Sequence, residues 1–305
     1  MAERLSGGRA DLHIHSTVSD GTEKPGELIR AAAEAGLDCI SLCDHDAQAP
    51  WNLVRRAARE VGICAIAGIE LGLYLSGKDQ DRAAISSSEK LDRGEIHILG
   101  YGASADAGPL GEMLRENRRD RHRRMGEMIE RLRGLGIDLG DEDMQLVGGC
   151  PSSPGRPHLA RALLRAGHVE SIAEAFAEYL APGKPAYVPR RRVSVEEGID
   201  GVIRGGGLPF LAHPCYYDQP LDLIDHLQSM GIAGVEVLHK DHSMGQVREL
   251  LAHGRRRNLL PSGGSDYHGR AEDPRLGDIS VPTAWAKDIL GCHDEMSVLH
   301  DNRDG

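Results

Sequence analysis

Residues Asp11 to Gly21 read DLHIHSTVSDG: two histidines one residue apart on an apolar strand, with an acidic turn directly after it. Side chains i and i+2 of a strand share a face. His13 and His15 can therefore chelate one metal ion, with Asp20 close behind. The same spacing returns near the other end of the chain, where Asp266 and His268 of GGSDYHG follow an apolar run. Between them, polar residues stand alone at predicted strand ends: His45 in CDHD, Glu70 in AGIE, His97 in IHILGY and His213 in LAHP.

The segments around these residues alternate. KPGELIRAAAEAGL and APWNLVRRAAREVG read as helices, DCISLCDHD and ICAIAGIELGLYL as strands. SVEEGIDGVIRGGG leads into LPFLAHP, PLDLIDHLQSMG into IAGVEVLH, and MGQVRELLAHGRRRN into LLPSGGSDYHG. Strands alternating with helices predict parallel β structure with βα crossovers, an α/β fold. In a barrel of parallel strands the C-terminal strand ends meet at one mouth. Nine candidate ligands can gather there, although His13, His15 and His97 fall within their strands rather than after them.

One segment breaks the rhythm. Residues 106–189 show helical patterns and no strand, which predicts a helical subdomain inserted into a barrel domain made of 1–105 and 190–288. Ser76 to Glu95 is polar and reads as a surface loop or strand turn, and 289–305 as a polar tail. No internal repeat is present.

Composition narrows the function. The 305 residues carry a formal net charge of -11, which excludes a surface that coats nucleic acid generally but leaves room for a local basic patch. Six scattered cysteines without a Cys-x-x-Cys pair predict reduced thiols. No apolar run reaches the roughly 20 residues of a membrane helix, and the N-terminus lacks a signal peptide's apolar core. A cytoplasmic protein without membrane association or an obligate protein partner is expected.

Imidazoles and carboxylates without thiolate suit Zn, Mn or Fe. Nine ligands are too many for one ion and suffice for two or three if Glu70 bridges. Three divalent ions outweigh three carboxylates, so the mouth would stay electropositive and favour an anionic substrate. Close-set metal ions can clamp a phosphate and generate a hydroxide nucleophile.

DLHIHSTVSDG, CDHD, GIE, IHILGY, LAHP and GGSDYHG together resemble the motifs of the PHP (polymerase and histidinol phosphatase) family, over roughly Asp11 to Gly269. GRPHLARAL, AFAEYLAPGKPAYVP and EVLHKDHSMGQVRELL more specifically resemble its TrpH/YciV-like branch. The resemblance implies a distorted (β/α)7 barrel with a trinuclear metal site. His13, His15, Glu70 and Asp266 would hold one ion, Glu70, His97 and His213 a second, and Asp20, His45 and His268 the third. Cys43 stands where the family commonly has Thr. The branch implies hydrolysis of nucleoside phosphates: AMP, nucleoside 3',5'-bisphosphates, or short RNA from its 5' end.

Basic residues crowd the insertion. Arg121 and Arg124, one helical turn apart, can reach the mouth together, while the arginines around them read as a solvated face with ion pairs. Arg156 and His158 sit at a predicted helix start, where backbone N–H groups favour anions. The resemblance assigns Arg156, His158 and Lys184 to substrate phosphate or leaving group. For the general acid, His242 and Asp44 are candidates, Asp44 equally as an orienter of a ligand histidine. His239, His242 and His253 have the alternative of exposed helix ends.

The expected activity is therefore metal-dependent hydrolysis of a nucleotide phosphomonoester, AMP or a nucleoside 3',5'-bisphosphate, by a metal-bound hydroxide attacking phosphorus. The rivals are a 5'-3' exoribonuclease on short RNA, a histidinol-phosphate phosphatase, an amidohydrolase-like metal hydrolase, and a non-catalytic metal-binding module.

Overall fold

Gly68 marks where the chain changes sheet. The run ICAIAGIELGLYL, expected as one strand, forms two: β3 (Cys64–Ala67) and β4 (Glu70–Tyr74). β3 completes a sheet with β2 (Cys39–Leu42), β1 (Arg9–Ile14) and β9 (Val281–Pro282), in the order β3-β2-β1-β9. β4 opens a second sheet, followed by β5 (Glu95–Tyr101), β6 (Leu208–Leu211), β7 (Gly234–Leu238) and β8 (Leu260–Gly263). A Cβ on Gly68 would lie 2.3 Å from Ser41 Oγ, so the crossing needs a residue without a side chain. The computed structural model describes residues 7–77, 79–80, 92, 94–106, 108–140, 143, 152–271 and 273–297.

The ladders are mixed rather than all parallel. β5 runs antiparallel to both β4 and β6, and β9 antiparallel to β1, while the other pairs are parallel. Parallel neighbours need a crossover, and the polar sequence between β4 and β5 has no helix pattern to supply one. That stretch, Ser76 to Glu95, lies largely outside the described residues. Single bridges, Ile14 to Tyr267 and His45 to Glu70, link the two sheets. Leu12, Cys43, Leu99, Tyr101 and Phe210 share one buried cluster between them.

Helices cover the outer faces. α1 (Pro25–Glu34) opens on a proline, with Glu27 accepting the Lys24 N–H at 3.1 Å, and turns off at Gly36, φ 77°. Its Leu28, Ile29 and Ala32 pack with Ile14 and Ile40, and with Val54 of α2 (Trp51–Val61).

Between β5 and β6 lie α3 (Gly108–Gly134), α4 (Arg156–Arg165), α5 (Ile172–Ala175, extended by a π turn at Phe176–Leu180) and α6 (Val195–Arg204). No strand forms among the described residues between α3 and α6. At 1.5 Å per residue α3 is about 40 Å long, and it serves two cores. Leu110, Met113 and Leu114 pack with Ile199 and Val202 of α6 and with Leu73. Met125, Met128 and Leu132 pack with Leu159, Leu163 and Leu180. α7 (Pro220–Gln228) and α8 (Met244–Arg256) follow β6 and β7. The last helix, α9 (Thr283–Ser297), runs on past Asp288 with Ile289 buried, through much of the stretch that reads as a polar tail. Among the described residues no helix is long and apolar enough to cross a membrane.

Candidate active site

Glu70, the first residue of β4, places one carboxylate among five imidazoles. Its Oε1 lies 2.8 Å from His97 Nδ1 and 3.1 Å from His213 Nε2. Its Oε2 lies 3.0 Å from His45 Nδ1, 3.3 Å from His15 Nε2 and 3.5 Å from His13 Nε2. Glu70 is 1% exposed. His97 reaches this point from inside a strand because β5 runs against β6: its carbonyl accepts the Ala212 N–H, one residue before His213.

Two aspartates flank the glutamate. Asp266 Oδ1 stands 3.1 Å from His15 Nε2 and 3.7 Å from His13 Nε2. Asp20 Oδ1 stands 3.3 Å from His268 Nε2 and 3.9 Å from His45 Nε2. All nine residues expected at the mouth are thus brought together. Eight of them form three groups whose ligand atoms lie within 4.8 Å of one another: His13, His15 and Asp266; His15, Asp20, His45 and His268; and His45, Glu70 and His97. His213 joins them through Glu70 Oε1.

The donor set fits metal ions on the structure's own terms. Glu70 Oε2 and His15 Nδ1 are buried and make no hydrogen bond of proper geometry, even though imidazole nitrogens stand close to Oε2, an arrangement that costs free energy unless something else fills it. The donors are nitrogen and oxygen only, the set suited to Zn, Mn or Fe. Backbone strain gathers here too. Among the described non-glycine residues, positive φ occurs at Asp46 (48°), His213 (29°), Asn258 (54°) and Asp266 (49°), and three of these four lie at the mouth.

Neighbours orient the histidines. Glu236, fully buried on β7, takes the His13 Nδ1 proton at 2.9 Å and the His213 backbone N–H at 2.6 Å. When the ring is neutral, the proton stays on Nδ1 and His13 turns the lone pair of Nε2 toward the centre. Burial opposes charge throughout, but the surroundings dominate. Glu236 and Glu70 hold His13 well above its ordinary pKa, and Glu70 lifts His97 to about 9. His45, His97 and His13 hold Glu70 well below the carboxylate range, as His268 and His45 do Asp20. His213, where burial wins, falls to about 4.

The other expected residues divide. Asp44 is fully buried, and its carboxylate accepts four hydrogen bonds, from the N–H and Oγ of Ser16 and of Ser19. It anchors the His15–Asp20 loop and is not free to shuttle a proton. His242 is buried, not an exposed helix end; it donates Nδ1–H to Val237 O at 2.9 Å and leaves Nε2 unpartnered. His253 is also buried, against Asp225 at 2.7 Å.

Arg121 reaches the rim, where its Nε meets Asp46 Oδ2 at 2.9 Å beside His45. Arg124 instead gives Nε and Nη2 to Val188 O, at 3.0 and 2.9 Å, and so fixes the insertion. Arg156 packs over the Phe176 and Tyr187 rings, bonds Leu180 O at 3.3 Å and lies 3.9 Å from Asp92 Oδ1. His158 is buried, its Nδ1 accepting the Gly155 N–H at 3.1 Å, and Lys184 is exposed on the turn after α5. The helix-start position of Arg156 made it look like an anion ligand; its aromatic neighbours are far away in sequence.

Sequence reasoning missed Glu236, Arg190, Lys240 and Arg270, and gave His239 only the reading of an exposed helix end. His239 is buried, with Nε2 3.5 Å from Asp266 Oδ2. It ends an apolar run in VEVLH as His213 ends LPFLAH, a signal that could have found it. Arg190 joins Asp46 Oδ2 and Glu95 Oε1, both at 2.8 Å. Nothing in its PRRR context separates it from Arg191 and Arg192.

The PHP domain family matches residues 11–138. A 3',5'-nucleoside bisphosphate phosphatase of Chromobacterium violaceum is 32% identical over 272 residues, 87% of this chain and 89% of that protein. A 5'-3' exoribonuclease of Haemophilus influenzae is 30% identical over 262 residues, 85% of this chain and 89% of the relative. Among solved structures, one assigned as a metal-dependent phosphoesterase from Bifidobacterium adolescentis superposes with a TM-score of 0.77 at 28% identity, covering 93% of this chain and 96% of its own.

Proposed function

The chain belongs to the PHP family and is a metal-dependent phosphoesterase, and from that premise we propose that it removes the 3'-phosphate of a nucleoside 3',5'-bisphosphate, with AMP as the lesser substrate. The observation that carries the chemistry is Glu70, one buried carboxylate shared by five imidazoles. The substrate preference is supported by the Chromobacterium violaceum relative, similar over nearly its whole length. The two bridges between the sheets support reading them as one distorted (β/α)7 barrel.

Two or three Mn, Zn or Fe ions would be held by His13, His15, Glu70 and Asp266, by Glu70, His97 and His213, and by Asp20, His45 and His268. Bound there, such ions neutralise phosphoryl oxygens and acidify water. The chain's own residues do the rest. Glu236 aims His13, and Asp44 holds the loop that presents His15 and Asp20. Arg121 and Arg190 stand over Asp46 at the rim, where the second phosphate of a bisphosphate can compete for their guanidinium groups. His242, whose Nδ1–H is held by Val237 O, is the retained candidate for protonating the leaving oxygen from Nε2, a role it can fill only as the imidazolium.

Steady-state kinetics test this with the full chain and Mn, Zn or Fe. The panel is a nucleoside 3',5'-bisphosphate, AMP, short oligoribonucleotides, histidinol phosphate and amides. The bisphosphate should give the highest kcat/KM with inorganic phosphate released. Faster turnover of histidinol phosphate, an amide or an oligoribonucleotide overturns the assignment.

A further inference from the structure

The two aspartates of the centre are held in the same way. Asp20 turns Oδ1 toward His268 and His45, while its Oδ2 takes Arg270 Nη2 at 2.9 Å. Asp266 turns Oδ1 toward His15 and His13, while its Oδ2 lies 3.2 Å from Lys240 Nζ. In each case one oxygen faces imidazoles of the nine-residue set and the other faces a cation from outside it; Asp266 Oδ2 also has His239 Nε2 at 3.5 Å.

A third acid ties the two cations together. Asp273 Oδ1 lies 3.3 Å from Lys240 Nζ. Its Oδ2 accepts the backbone N–H groups of His268 at 2.8 Å and Arg270 at 2.9 Å. Lys240 Nζ also donates to the main-chain oxygen of Asp266 at 2.8 Å, the residue whose φ of 49° is sterically costly. That turn lets Asp266 and His268, two residues apart, serve different groups of the centre. The loop after β7 thereby braces the loop after β8.

We propose that Lys240 and Arg270 are positioning residues of the metal centre, each engaging the outer oxygen of one aspartate so that a metal ion is offered the inner oxygen alone. The inference rests on the metal-centre reading given above. A carboxylate whose second oxygen is already in a charge-assisted hydrogen bond binds an ion through one oxygen, and outer partners of this kind set ligand orientation.

The sign of the effect separates this role from mere proximity. A cation close to a metal site repels the metal, so deleting a bystander tightens metal binding. Deleting a positioning group loosens it. Both side chains are partly exposed, 20% for Lys240 and 25% for Arg270, which favours folding of variants.

The test is manganese titration of chelator-stripped full-length protein by calorimetry, for wild type, Lys240→Met and Arg270→Met, with the metal-free melting temperature as a folding control. Each variant should bind its weakened ion about 10- to 100-fold less tightly. Lys240→Arg should restore wild-type binding to within a few-fold, and Lys240→Gln replaces the Met variant if that fails to fold. Equal or tighter binding in both Met variants overturns the proposal while leaving the metal centre intact. A wild-type protein that takes up no manganese, zinc or iron overturns the reading of the centre, and the proposal with it.

Discussion

His13 Nε2 and His15 Nε2 face each other at 3.1 Å in a space sealed from solvent. Glu236 occupies the far nitrogen of His13, so that ring has only its inner lone pair to offer. Two converging imidazole nitrogens beside two carboxylates form a chelate, and its removal should abolish turnover. His15→Ala or Glu70→Ala is expected to lower kcat by more than the about 10- to 100-fold typical of outer partners. Far-UV circular dichroism should show the fold largely retained. Residual activity near wild type in either variant counts against the centre.

Asp46 is the junction between the insertion and the mouth. Its carboxylate takes Arg121, Arg190 and Asn117 while fully buried. Asp46→Ala leaves two guanidinium groups without their shared acid. Breaking a buried ion pair from one side costs about 3–5 kcal/mol. Urea unfolding of the metal-free protein should register a loss of that order, and a loss under 1 kcal/mol would remove Asp46 from this role.

His158 predicts an acid sensitivity. Burial depresses its pKa to about 4, from 6.5 in the unfolded chain. The unfolded state therefore binds a proton at higher pH than the folded state. The neutral ring's contribution is complete above pH 6.5 and is lost as pH falls from 6.5 toward 4. The difference amounts to about 3 kcal/mol at most. Comparing unfolding at pH 7 and pH 5 in chelator, wild type should lose more stability than His158→Gln. Identical losses would show that this ring does not titrate across the window.

Gly264 lets the β8 loop close on β1. A Cβ there would stand 2.4 Å from His13 N and 2.6 Å from Asp11 Oδ1. Overpacking of this kind costs about 1–3 kcal/mol, and here it pushes Asp266 and His268 off the histidines. Gly264→Ala should weaken manganese binding more than it lowers the melting temperature would suggest. Unchanged metal affinity would show that the loop tolerates the shift.

Much of the cluster was legible in the chain because residues able to bind metal follow short local rules. HxH on a strand, DxH after a strand and lone histidines at strand ends need only the period of two and the habit of strands to end at one rim. The parts that were not legible depend on direction and distance. His97 looked misplaced within its strand until β5 proved to run against its neighbours. Asp44 looked catalytic beside His45, yet Ser16 and Ser19 consume its carboxylate. Arg124 looked like an anion ligand, and it is spent on Val188 O; Arg156 looked like one too, and it lies against Phe176 and Tyr187 and near Asp92.

By itself, then, the amino-acid order determined which chemistry this protein carries: nine nitrogen and oxygen donors spaced for strand ends, and the α/β alternation that gathers them. Only the folded arrangement decided which of its many charged side chains serve that chemistry. Arg190, Lys240 and Arg270 are indistinguishable in sequence from arginines and lysines on the surface. Their roles come from partners up to 250 residues away, and Coulomb attraction acts through space, not along the chain.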